Sequence, residues 1–257
     1  MTDMRNQKNN NMKDVRLYFL GIPLFLFFVT VGPAWSDDIE SVKAMMWDGD
    51  FYEAAELGAR LGGLEGYTLA AAALAIHGYE IAPESEKQEH FLRAIDYAEK
   101  AIEIDPNNSE ANLQISHTLG RYAQTVGVAE ALSGGFAERT KAAMDRAVEL
   151  DPENVRAHLS IGSWHAEIVA AAGFMAKLLY GANEEDALLA YQRALELEPE
   201  SSTVHFEYAV GLMRLDDENL ELARIHLEKA ISLPLNNAYD KIVREKATRD
   251  LMALPEK

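Results

Sequence analysis

The chain has 257 residues, 48% of them apolar, and 42 acidic against 24 basic side chains give it a formal charge of −18 at pH 7. That is a globular composition, long enough for one large domain or an extended array. The charge argues against nucleic-acid binding, which needs clustered Lys and Arg to neutralise phosphates. The absence of cysteine removes disulfides, thiolate metal sites and cysteine nucleophiles together.

The N-terminus carries the compartment signal. Lys13 and Arg16 precede an apolar run, residues 17–35, broken by Gly21, Pro23, Gly32 and Pro33. This resembles a secretory signal peptide, with Ala34 and Ser36 at −3 and −1 of a cut before Asp37. The expected organisation is a leader over 1–36 and one domain over 37–257, placed in the periplasm or secreted. An uncleaved inner-membrane anchor facing the periplasm is the alternative, because 19 apolar residues are borderline for a span. Met12 begins a more ordinary leader, which makes residues 1–11 an overlong start. Cleavage removes four basic and two acidic side chains, taking the charge from −18 to −20.

Taken in order, residues 37–47 and 51–61 read as a short first helical hairpin joined at Asp48-Gly49-Asp50. Residues 66–79 and 86–104 make a second, with Ile81 to Ser85 as its loop. Helices at 109–124, 155–172 and 202–215 open a third, fourth and fifth hairpin, and 238–254 is a last helix with the polar outer face of a cap. Four segments then repeat one pattern. Ala94 to Pro106, Lys141 to Pro152, Ala187 to Pro199 and Ala223 to Pro234 each place Ala, acid-flanked aliphatics and a terminal Pro in one order. Ala94 and Ala101, Ala187 and Ala194, and Ala223 and Ala230 lie two helical turns apart on one face, with Ala147 at the second position of the remaining copy. Small residues there let helices approach closely, while Tyr97 and Tyr191 fill the space between. Pro106, Pro152 and Pro199 stop these helices, and Asn108-Ser109, Asn154 and Ser201-Ser202 supply the next N-caps.

This pattern resembles the tetratricopeptide repeat, and the resemblance implies an all-α solenoid of about five helical hairpins with a C-terminal capping helix. The second alanines stand 46, 47 and 36 residues apart, so two repeats carry inserts, at 123–137 and 168–181. The second insert has one charge, Lys177, and a helix apolar on every side must be covered by protein, lipid or ligand.

A narrower resemblance rests on Gly120-Arg121-Tyr122, the run Leu159-Ser160-Ile161-Gly162-Ser163-Trp164, and Ala176-Lys177-Leu178-Leu179-Tyr180-Gly181. From Tyr97 to Ala253 the chain resembles the helical-repeat domain of the regulator of microtubule dynamics family. The family pattern places Arg after Gly162, where this chain has Ser163. Animal members are linked to microtubules and membrane contact sites, and some to lipid binding. An exported protein cannot meet cytosolic tubulin, so the resemblance implies the fold and not that activity. The chain is also similar, more weakly, to periplasmic tetratricopeptide partners of tripartite ATP-independent transporters.

By analogy with such arrays, the concave face is built from the first helices of the hairpins. It is expected to carry Leu113, His117 and Arg121, then Arg156, Leu159, Ser163 and Glu167, then Phe206, Val210, Met213 and Arg214. The three arginines would be the local positive sites for an acidic peptide, a carboxylate or a lipid head group, unless neighbouring Glu or Asp pair with them. Ser163, His165 and Glu167 spell a hydrolase triad, but residues two apart on a helix face different ways. His158 and His165 share a face, yet His158 and His205 occupy matching repeat positions, which favours packing over metal binding. The sequence therefore predicts no enzyme, cofactor or metal site. It predicts a module binding a protein or peptide in its groove. The alternative is a carrier for a lipid or other hydrophobic small molecule in a cavity walled by the two inserts.

Overall fold

The computed structural model describes residues 38–126 and 134–255. The leader and part of the first insert lie outside the described residues. These described residues form one compact unit, built of twelve α-helices and no strand. In chain order these are α1 (Ile39–Asp48), α2 (Phe51–Leu61), α3 (Gly63–Glu80), α4 (Glu84–Ile104), α5 (Ser109–Thr125) and α6 (Phe136–Leu150). There follow α7 (Val155–Ala172), α8 (Met175–Tyr180), α9 (Glu184–Leu197), α10 (Ser202–Leu215), α11 (Leu220–Ser232) and α12 (Ala238–Ala253). They make an all-α solenoid of five hairpins with α12 as the cap.

The turns follow from local chemistry. Asn108, Asn154 and Ser201 each cap the next helix by accepting a hydrogen bond from the backbone N–H three residues on. Asp105 and Asp151 accept from the N–H two residues on, folding each Asp-Pro turn back on itself. Inside the next helix a polar side chain reaches back to the proline carbonyl: Asn112 to Pro106 at 3.1 Å, His158 to Pro152 at 2.9 Å and His205 to Pro199 at 3.0 Å. The matching histidines therefore satisfy turn carbonyls that helix geometry leaves without a partner.

Two junctions are tighter than the sequence suggests. α3 begins at Gly63, because Gly62 and Gly63 both adopt positive φ and reverse the chain in a single step. α4 begins at Glu84, with Pro83 as its cap and Glu84 and Glu86 in its first turn. The core lies between the two helices of each hairpin, where Ala94, Ala98, Ala101, Ala147, Ala187, Ala194, Ala223 and Ala230 are fully or almost fully buried. Tyr191 is also fully buried, its ring held between Gly162 of α7 and Gly211 of α10.

The second insert lengthens α7 to Ala172, turns at Gly173 and forms α8 before Gly181 turns again. Ala176 and Tyr180 pack on Met144, Trp164 and Ala182. Phe174, Leu178 and Leu179 point away from that core and stand 92%, 76% and 59% exposed.

The two ends of the array meet. An ideal Cβ on Gly49, which ends α1, would lie 2.8 Å from Ala238 Cβ at the start of α12. Lys246 of α12 forms a 2.8 Å ion pair with Glu80 of α3, across 166 residues of chain. Its ammonium also lies over the rings of Tyr79 and Phe206.

Candidate functional site

This closure turns the concave face into an open-mouthed cavity of about 830 Å³. α1, α3, α5, α7, α10 and α12, the inner helix of each successive layer, all contribute side chains. One wall is apolar, with Met46, Trp47, Leu69 and Ile76 from α1 and α3. The others are polar and charged.

Counting from each N-cap organises those walls. Positions two, six, nine and thirteen after the cap are Glu110, Gln114, His117 and Arg121 on α5, and Arg156, Ser160, Ser163 and Glu167 on α7. All eight line the cavity, as do Thr203 and Glu207 on α10. The fifth position faces the core instead. Leu113, Leu159 and Phe206 stand there, 0%, 7% and 3% exposed, and of these Leu159 alone also touches the cavity.

The expected groove residues therefore separate into two sets. His117, Arg121, Arg156, Leu159, Ser163 and Glu167 line the cavity, whereas Leu113, Phe206, Val210, Met213 and Arg214 do not. Leu113 packs with Ala147 and Ala157, and Val210 and Met213 pack against the cluster around Tyr191. Arg214 stands at the edge and reaches Glu167 at 3.1 Å. The α1 and α3 wall was missed because the repeat pattern was projected from α5 onward. Its signal was present: Tyr79 follows Gly78 as Arg121 follows Gly120 and Ser163 follows Gly162, and all three line the cavity.

Two ion-pair ladders cross the inner face. Arg156 pairs with Glu110, which also accepts from Gln114. Further along, Glu167 accepts from Gln124 and forms an ion pair with Arg214. Arg121 belongs to this second ladder but makes no ion pair. Its guanidinium lies 3.6 Å from the centre of the Tyr79 ring and donates to Gln124 Oε1 at 3.3 Å. Burial works against its charge, but Tyr79, Glu207, Glu167 and Tyr239 outweigh burial and raise its pKa. Beside it, burial and the positive charges of Arg156 and Arg121 hold His117 down to about 3, so that side chain is neutral at physiological pH.

The apparent triad has three separate fates. Ser163 faces the cavity, His165 Nδ1 accepts from the Asn183 backbone N–H at 3.1 Å, and Glu167 is held by Arg214 and Gln124. Among the described residues no group of three or more His, Asp or Glu side chains is arranged to hold a metal. None of the described helices is long and apolar enough to cross a membrane.

The family model of regulator of microtubule dynamics protein 1-3 matches residues 67–254, from within α3 to the end of α12. The chain belongs to this family. No curated protein gives a significant match. Among solved structures, a thermophilic TPR protein of Thermus thermophilus is 15% identical with a TM-score of 0.56, the match covering 82% of this chain and 95% of that one. YrrB, a TPR protein described as having an unusual peptide-binding site, is 17% identical over 83% of this chain and 93% of its own, with a TM-score of 0.40. The first likeness establishes the tetratricopeptide-type solenoid that the repeat spacing predicts.

Proposed function

We propose that this family member is an exported, non-catalytic interaction module that takes an extended segment of a protein partner into the closed concave cavity. The observation that carries this reading is the convergence of six inner helices on one cavity of about 830 Å³, which suits a few residues of extended chain and is too small for a folded domain. The partner is separate from the tubulin that the family name suggests, because the leader-like N-terminus directs the chain away from the cytosol. A carrier role rested on the inserts as cavity walls. None of the described residues of the 168–181 insert lines the cavity, and of those of the 123–137 insert Gln124 alone does, which leaves the peptide reading better supported.

The chain offers its own probe. Removal of residues 1–36 leaves Trp47 and Trp164 as its tryptophans, and both line the cavity. Peptides selected from a random library against residues 37–257 are expected to change tryptophan emission. They are expected to lose binding to Ala75→Trp, a cavity-filling variant whose folding is checked by circular dichroism. Selected peptides that bind the filled variant equally well defeat the cavity assignment. A lipid co-purifying in native mass spectrometry, displaced by the same substitution, supports the carrier instead.

A further inference from the structure

The peptide reading leaves the ligand's charge open, and the following inference rests on that reading and assigns the charge. The sequence singles out Arg121, Arg156 and Arg214 as sites for an anion. In the structure Arg156 is paired with Glu110 and Arg214 with Glu167, while Lys43, at the opposite wall, bridges Glu40 and Glu65. Of the cavity's cationic side chains, Arg121 alone has no carboxylate within ion-pair distance among the described residues, and the Tyr79 ring covers it.

The acidic side has a surplus. After Glu80 is assigned to Lys246, Glu110 to Arg156 and Glu167 to Arg214, four carboxylates lining the cavity have no ion-pair partner among the described residues: Asp151, Glu153, Glu198 and Glu207. Glu207 lies deep and acts electrostatically on Arg121. Asp151, Glu153 and Glu198 are exposed on the turns that lead into α7 and α10, so three carboxylates without an ion-pair partner among the described residues line the opening. Seven carboxylates against three cationic side chains line the cavity, so its net field is negative.

The cavity wall adds a second preference, for apolar side chains, through Met46, Trp47, Leu69 and Ile76. Acidic rim and apolar wall together specify a ligand with positive charge and apolar side chains.

We propose that the cavity receives a basic extended peptide segment, with Lys or Arg at the Asp151, Glu153 and Glu198 rim and apolar side chains against Met46, Trp47 and Leu69. The surplus of carboxylates makes an acidic segment the disfavoured partner, since it would bring like charge to the rim.

The test uses residues 37–257 and three short synthetic peptides identical in their apolar residues, with Lys, Gln or Glu at the remaining positions. Affinities are read by fluorescence anisotropy and by Trp47 and Trp164 emission. The Lys peptide is expected to bind about tenfold or more tighter than the Glu peptide, with an advantage that shrinks as salt is raised. Glu153→Gln with Glu198→Gln, both at exposed turn positions, is expected to weaken the Lys peptide about fivefold and leave the Gln peptide unchanged. A Glu peptide that binds as tightly as the Lys peptide, or a double variant that binds the Lys peptide with full affinity, overturns the charge assignment and leaves the peptide reading standing. If none of the three binds, both fall.

Discussion

Gly211→Ala is a demanding test of how the repeats are packed, because two physical effects pull it in opposite directions. In an ordinary helix interior the change stabilises by about 0.8–1 kcal/mol, since Ala gives up less backbone entropy than Gly. At Gly211 the new Cβ would stand 2.6 Å from Tyr191 Cζ and 2.7 Å from its hydroxyl oxygen, against a normal carbon contact of about 3.5–4 Å. The ring must retreat by about an ångström. Retreat is blocked, because a Cβ on Gly162 would meet three atoms of that ring at 2.9 Å, so the backbone of α7 is already close behind it. Tyr208 stacks on it with centroids 5.3 Å apart. Tyr191 Cε2 is closer still, which puts the cost at the upper end of overpacking, about 2–3 kcal/mol, and leaves a net loss of about 1–2 kcal/mol and a fall in Tm of about 2–8 °C for a domain of this size. Gly120→Ala is the control, since its Cβ would meet only Thr140 Cγ2, at an ordinary 3.9 Å. It is expected to gain up to about 1 kcal/mol. Urea unfolding followed by circular dichroism reads both. Gly211→Ala with a midpoint at or above wild type would refute the claim that Tyr191 is wedged between two glycine backbones. Tyr191→Ala added to Gly211→Ala should cost less than the sum of the single changes.

Four further outcomes are expected. Ala194→Leu places a branched side chain at a fully buried position and should lower stability by about 1–3 kcal/mol; an unchanged midpoint defeats the close helix approach there. His226 is held down to about 4 by burial and by neighbouring His205, whose Nδ1 lies 2.8 Å from its own. Its unfolded form takes up a proton first, so stability is full above the ordinary histidine value and falls with pH until about 4, by on the order of 3 kcal/mol. His226→Phe should flatten the slope of unfolding free energy against pH in that window, and an unaltered slope removes the assignment. Lys246→Met breaks the ion pair to the mostly buried Glu80 and should speed amide exchange in α1 and α12 ahead of the other helices; uniform exchange would show that the ends do not depend on it. N-terminal sequencing of exported material is expected to begin at Asp37, and retention of residues 17–35 converts the leader into an anchor.

The fold was legible because its determinants are local. An alanine pair two turns apart, a proline stop and an Asn or Ser cap are read from residues close together in the chain, and the structure places each where its chemistry requires. The cavity was less legible because it depends on phase. Leu113, Phe206 and Met213 were assigned to the groove by analogy to positions counted within a repeat. The side chains themselves are phased from the caps Asn108, Asn154 and Ser201, and one residue of error turns a side chain through about a hundred degrees, from cavity to core. The pairing of Arg156 with Glu110 and of Arg214 with Glu167 joins helices 46 and 47 residues apart, a separation at which no local pattern shows which acid meets which base. The insert at 168–181 was legible as apolar but not as outward-facing. That depends on Gly173 and Gly181, whose positive φ values set the direction of α8.

Closure of the array matters most for how a ligand enters, and it rests on a few small or adaptable residues. Gly49 permits the contact with Ala238 because any side chain there would collide with it, and its φ of +99° further disfavours one. Lys246 binds by its ammonium to Glu80 and spreads over two aromatic rings, so it can release and re-form without repacking the core. An open groove admits a folded domain sideways and selects by surface complementarity. A groove joined end to end admits only what threads through its mouth or waits for α1 and α12 to part. In the first case the proposed acidic rim would act before the apolar wall, so that charge would set the rate of capture and Trp47 the residence time. In the second, the closing contacts would subtract from the affinity of every ligand alike, so that on the proposed reading discrimination between segments would still fall to Asp151, Glu153 and Glu198.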